Sequence, residues 1–360
     1  MEATEASVVA TPKPRLELCG TWMVVRGGTK LLAARYKEPS QDDLFVYDCT
    51  TAGKKPQENK GEDGKSAGKS SDTILACAFS SSGTYVALTD DRKRLILFRT
   101  KPSWECLSVR LVTRRCTSLI ITTMEDKIVV ADKSGDVYSY SIAEPEKTGT
   151  IELGHLSLLL DVDCTLRLWE YKSGKEVYCC HLNSLNTCDA SKNEKKYTVS
   201  RTTYCCEGNY IAILYDCIPT VSIFQLDADA QKLLCKQHIS LNHQGWDIAF
   251  EETGGLWILQ EDKQTPLLLY QPVDGQWQSV IEEKQLIKMS KYFHDNWTAF
   301  EDSVGKGSCY QNLYKASFDN MAVYLQKKEE RLQQKKNKRK EVQCESNGQT
   351  KKVKTEGPSL

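Results

Sequence analysis

The sequence predicts an all-β chain of repeated four-stranded units, a β-propeller, and three observations carry that reading. Short apolar runs alternate with turn residues from Leu16 to Val280, the pattern of half-buried strands. Two successive stretches then match in order. Asp90 aligns with Asp132 and Phe98 with Tyr140, both at an offset of 42 residues, a length suited to one propeller blade. Finally, Asp163–Glu170 reads Asp-Cys-Thr-Leu-Arg-Leu-Trp-Glu shortly after Gly154-His155. Gly-His opening a unit, with an aromatic–acid pair closing its third strand, marks a WD repeat.

Taken in order, residues 1–15 are polar, contain two prolines and read as disordered. They hold no hydrophobic signal core, which argues against secretion. Residues 16–19, 22–25, 31–36 and 44–47 are four short strands, with Gly27-Gly28 among the turns. Residues 53–72 lack Leu, Ile, Val, Phe, Tyr and Trp, so burial cannot offset the entropy of ordering them. They are expected to form a flexible loop. A second blade follows at 74–79, 85–89, 94–98 and 107–112, and a third at 118–123, 127–131 and 136–140.

The period then fails. Trp169 follows Tyr140 by only 29 residues. Residues 158–162 look like a first strand, and Asp163 starts a third strand directly, with no second strand between them. The expectation is an internal deletion with its junction at 162–163. The pattern resumes at 210–214 and 220–226, and a full blade is expected at 246–250, 256–260, 267–270 and 276–280. The propeller is thus placed at 16–281. A helical extension follows at 282–338, with helices at 284–293 and 313–326, and a disordered basic tail at 339–360.

Composition narrows the function classes. The 15 cysteines form no CxxC and do not cluster with the five histidines at zinc spacing, so no metal site is expected and the thiols read as reduced. No apolar run approaches the length of a membrane helix. A methyltransferase or other nucleotide enzyme would need a Gly-rich turn in a βαβ frame, and no such frame is present. The formal net charge of zero hides a division. Residues 327–354 carry eleven Lys and Arg against four Asp and Glu, which leaves the rest of the chain at −7. An acidic body suits a protein partner, and a basic tail suits a polyanion or an import receptor.

The chain resembles one family over nearly its whole length: the WD-repeat, non-catalytic subunit of tRNA (guanine-N7-)-methyltransferase, in its vertebrate form. The resemblance rests on LFVYDC at 44–49, ALTDDRKRLILFRTKP at 87–102, VADKSGDVYSY at 130–140, DCTLRLWEY at 163–171, SIFQLDA at 222–228, WDIAFEET at 246–253 and LYKASFDNMAVYLQKKEERLQQ at 313–334. It implies a seven-bladed propeller with a C-terminal helix and no catalytic residue or cofactor of its own. S-adenosylmethionine is expected on the catalytic subunit, and the heterodimer would methylate guanine N7 in the tRNA variable loop. Against the family, ~55–60 residues are missing between Val162 and Asp163, about one blade and part of another. A splice form or a gene-model error would each produce that gap. The shortened ring must re-close with fewer blades or leave strand edges open, and the junction segment 156–171 is expected to pack poorly.

Propellers bind partners through exposed turns, so the docking candidates are the charged turn residues Asp90, Arg92, Arg94, Asp132 and Lys133, with Arg167 on the WD-like strand. A solvated rim is the competing reading for any one of them. In the tail, Lys335, Lys336, Lys338, Arg339 and Lys340 suit nuclear import, or contact with tRNA phosphates. The rival function is a general WD-repeat adaptor, such as a ubiquitin-ligase substrate receptor or a chromatin-associated factor.

Overall fold

The structure is a computed structural model and describes residues 12–37, 44–51, 72–132, 136–154, 165–170, 175–181, 198–216, 218–227, 229–308 and 328–329. The chain divides into two units, Met1–Gln311 and Asn312–Leu360. In the second unit the described residues are Lys328 and Glu329, both helical. The helix expected at 313–326 and the whole basic tail lie outside the described residues.

The first unit is a succession of antiparallel meanders. Blade 1 holds β1 (Arg15–Cys19), β2 (Trp22–Gly27), β3 (Lys30–Arg35) and β4 (Phe45–Asp48). Blade 2 holds β5 (Ile74–Phe79), β6 (Tyr85–Asp90), β7 (Arg94–Arg99) and β8 (Glu105–Leu111). Blade 3 holds β9 (Cys116–Ile121), β10 (Lys127–Asp132), β11 (Asp136–Ser141) and β12 (Thr150–Gly154). Among the described residues two strands follow, here called the half-blade: β13 (Thr165–Glu170) and β14 (Lys175–His181). Blade 4 is β15 (Val199–Cys205), β16 (Tyr210–Tyr215), β17 (Thr220–Asp227) and β18 (Lys232–Ser240). Blade 5 is β19 (Gly245–Phe250), β20 (Leu256–Gln260), β21 (Leu267–Val273) and β22 (Gln276–Val280). The last hairpin turns on Asp274-Gly275, both at positive φ, the two-residue geometry whose twist matches paired strands.

Middle strands are apolar on both faces because a neighbouring blade covers each side. Every residue of β2 and of β20 is buried. Apolar clusters join blade 1 to blade 2, blade 2 to blade 3, blade 4 to blade 5, and the half-blade to blade 4. A further cluster seals blade 5 to blade 1 through α1 (Lys284–Asp295). Leu286, Met289 and Phe293 form its buried stripe. Trp297 stacks on Trp246 at 5.5 Å between ring centroids, and Phe300 is fully buried. Gly27 admits this aromatic plug, since a Cβ there would stand 2.5 Å from the Phe300 ring.

Among the described residues no apolar cluster links blade 3 to the half-blade. Leu119, Ile121, Ile128 and Val130 face blade 2 and are buried. The opposite face pairs Ile120 with Val129, and Ala131 with Val137. Ile120 is 58% exposed, and the other three are half-buried. The failed 42-residue period falls between blade 3 and the half-blade.

Several details differ from the sequence reading. Gly154, expected to open a blade, instead ends β12 and pairs with Asp136, because the fourth strand of blade 3 had gone unrecognised. His155, Asp163 and the strand expected at 158–162 lie outside the described residues. The WD-like strand begins at Thr165 and pairs with β14. Strands β14 and β15 were also missed, since polar residues interrupt their alternation.

Candidate partner-docking face

The turns between the second and third strands of blades 2 and 3 repeat one geometry. Asp90 ends β6, and its Oδ1 accepts the backbone N–H of Arg94 at 2.9 Å. Asp132 ends β10, and its Oδ1 accepts the backbone N–H of Asp136 at 3.2 Å. The 42-residue offset thus marks a carboxylate that closes a turn by satisfying a backbone donor.

This corrects three of the docking candidates. Asp90 has no exposed surface, Asp132 is 4% exposed and Arg94 is 7% exposed. They were expected on an exposed rim. They are buried because the turn folds back on the preceding blade. Arg94 Nε donates to Asp90 Oδ2 at 2.6 Å, and its terminal nitrogen donates to the Cys49 carbonyl at 2.9 Å. The pair therefore ties blade 2 to the end of blade 1. Burial lifts the Asp90 carboxyl above its ordinary value, while hydrogen bonds from Arg94 pull it back.

What the face exposes instead is a set of arginines at its edge. Arg92 is a retained candidate. Its guanidinium is about half exposed and grips Asp72, which precedes β5, with a terminal nitrogen 2.6 Å from Oδ2. Arg114 and Arg115, on the connection from β8 to β9, were not found by sequence. Arg114 lies 3.0 Å from Asp136 and 3.7 Å from Asp132. Arg115 Nε donates to the Asp91 carbonyl at 2.9 Å. Their signal was weak because neighbouring Arg-Arg on a loop reads as any solvated pair. These bonds gather Arg92, Arg114 and Arg115 around the blade 2–blade 3 turns, with their outer surfaces in water. Arg167 lies elsewhere, paired with Glu176 across the half-blade at 2.7 Å. Lys133 and the tail candidates Lys335, Lys336, Lys338, Arg339 and Lys340 lie outside the described residues.

A second charged group lines the axis side, where the first strands converge. Asp247 on β19 is fully buried and accepts the Leu16 N–H at 2.7 Å, with Arg15 at 3.3 Å and Arg201 at 3.1 Å. It joins blades 1, 4 and 5. Burial pushes the nearby Glu17 carboxyl up to about 7, against the pull of Arg201 and Arg26. Each of these groups serves the assembly of the ring. Among the described residues no group of three His, Cys, Asp or Glu could hold a metal ion, and no helix is long and apolar enough to cross a membrane.

Comparisons with known proteins bear on these features. Residues 32–155 match the family described as tRNA methyltransferase TRM82 WD40 domain. The chain is 45% identical to the tRNA (guanine-N(7)-)-methyltransferase non-catalytic subunit WDR4 of Homo sapiens, over 87% of this chain and 89% of that protein. It is 38% identical to the subunit of the same name from Xenopus laevis, over 88% and 94%. The human alignment runs over 370 positions, whereas 87% of 360 residues is about 313, so about 57 positions face no residue of this chain. Among solved structures, the RRP9 WD40 repeats superpose with a TM-score of 0.53 at 12% identity, covering 70% of this chain and 88% of theirs. The U3-55K structure gives 0.51 at 12% identity, covering 76% and 93%. At that identity they show the fold alone, the WD-repeat propeller. The chain belongs to the family of tRNA (guanine-N(7)-)-methyltransferase non-catalytic subunits.

Proposed function

We propose that this chain is the non-catalytic scaffold of a heterodimeric tRNA (guanine-N7-)-methyltransferase. It holds and stabilises a catalytic subunit, which carries S-adenosylmethionine and methylates guanine N7 in the tRNA variable loop. The observation that carries this is the identity to the human subunit across nearly the full length of that protein. The chain's own part is positional. A propeller with most of its charged turn residues locked in internal bonds presents a rigid face, and rigidity lowers the entropy lost on docking.

The docking surface we assign is the edge formed by Arg92, Arg114 and Arg115. Guanidinium groups that are half in water can exchange an internal carboxylate for a partner's with little desolvation. Exchanging these three for glutamate, with the catalytic subunit co-expressed, is expected to abolish co-elution while the chain stays folded. Undiminished co-elution would remove this face from the interface. About 57 unmatched alignment positions support the internal deletion. Docking must therefore use the blades that remain.

The basic cluster Lys335, Lys336, Lys338, Arg339 and Lys340 serves nuclear import in this reading. Alanine at all five should shift a fluorescent fusion toward the cytoplasm, and unchanged nuclear accumulation would exclude that role.

A further inference from the structure

Arg110 stands apart from the other arginines among the described residues. It lies on the outer strand β8, opposite Leu95 of β7, on the side of blade 2 that faces blade 3. It is 8% exposed, yet none of its three guanidinium nitrogens has a hydrogen-bond partner. The charge that acts on it does so through space, from Glu146. An ionised guanidinium held out of water without hydrogen bonds is costly, so a fold that keeps one there implies a partner from outside.

A crevice of about 590 Å³ between blades 2 and 3 lies beside it, lined by Arg110 with Ser108, Tyr138, Tyr140, Glu146 and Lys147, and the guanidinium must turn out of its wall to meet a ligand there. Gly149 lets the loop from β11 to β12 close over the Tyr140 ring, since a Cβ there would lie 2.5 Å from it. The outer edge of β8 is free, because β8 pairs with β7 alone among the described strands. On the other face of β8, Leu107, Val109 and Leu111 are 38%, 53% and 76% exposed.

We propose that this edge binds an extended segment of a protein partner, whose acidic side chain enters the crevice and pairs with Arg110. A strand added to β8 alternates its side chains between the two faces. One face meets Arg110 and so calls for a carboxylate. The other meets Leu107, Val109 and Leu111 and so calls for apolar residues on either side of the acid. The recognised pattern is apolar–acid–apolar. A nucleic-acid phosphate fits less well. Among the described lining residues it would meet an apolar row and the Arg110 guanidinium, since Lys147 is bound to Glu144 at 3.0 Å, whereas polyphosphate recognition draws on several cations.

The test uses the full chain and a fluorescein-labelled acetyl-Ser-Leu-Glu-Leu-Ser-amide peptide, read by anisotropy. The peptide is expected to bind, and its Gln counterpart to bind about ten-fold more weakly or worse. Arg110→Met should abolish peptide binding and at the same time raise the thermal midpoint, because it removes an unpaired buried charge. Equal binding of the Glu and Gln peptides would overturn the proposal. So would retained binding by Arg110→Met, or a lowered midpoint, which would mean the guanidinium is satisfied inside the fold. Binding of inorganic phosphate with no response to the Glu peptide would replace a protein partner by a phosphate.

Discussion

Alanine at Asp90 and alanine at Asp132 remove the same turn carboxylate from two successive blades, yet the structure assigns them different costs. At Asp90 the change removes the carboxylate paired with Arg94, whose side chain is 9% exposed. Breaking a buried pair from one side costs about 3–5 kcal/mol. At Asp132 the change loses the acceptor for the Asp136 N–H, worth about 1 kcal/mol. The charge left behind, Arg114, is 51% exposed and stays hydrated. Asp90→Ala should thus exceed Asp132→Ala by about 2–4 kcal/mol. Urea unfolding followed by tryptophan fluorescence measures both, at matched m-values. Adding Arg94→Met to Asp90→Ala should recover a good part of the loss by removing a buried charge that has lost its carboxylate. Equal costs at the two positions, or no recovery in the double variant, would refute the assignment of Asp90 and Arg94 to the framework.

Other expectations follow from the same contacts. Phe300→Ala should lower stability by about 3–5 kcal/mol, since it empties the seal between blades 5 and 1; a loss below 1 kcal/mol would show that α1 is not what closes that junction. Gly27→Ala should cost about 1–3 kcal/mol by driving a methyl into the same ring, and a neutral result would mean the plug is mobile. Glu17 is expected to make stability fall as pH rises from its ordinary value near 4.5 to about 7, because the folded state holds that proton more tightly than the unfolded chain. The swing is at most about 3 kcal/mol. Glu17→Gln should flatten the profile in that window, and an unaltered profile would place the carboxylate in water.

The fold was legible where strands obey a strict alternation and turns carry punctuation. Blade 5 illustrates this, with Gly254-Gly255 and Asp274-Gly275 separating its apolar runs. Strands β14 and β15 were not legible, because Cys179-Cys180 and Arg201-Thr202-Thr203 carry no clear period. The repeat offset located Asp90 and Asp132 correctly but could not say which way they point. A charged residue in a turn reads as exposed, and only the Arg94 bond to the Cys49 carbonyl reveals the turn folding inward. Arg110 was invisible for a related reason. In SVRLV at 108–112 it alternates as a solvated strand residue should, and burial against blade 3 is a tertiary fact. The break in period after Tyr140 was legible for another reason, because a missing strand alters the count wherever it lies.

The most direct test of the account is to co-express this chain with the catalytic tRNA (guanine-N7-)-methyltransferase subunit, with the human non-catalytic subunit as control, and to assay the purified material for N7-methylation of tRNA. The account predicts that the two chains elute together and that the pair methylates tRNA, while this chain alone does not. A folded chain that elutes by itself beside a control that pairs would contradict it, and would place the docking surface in the residues this chain lacks.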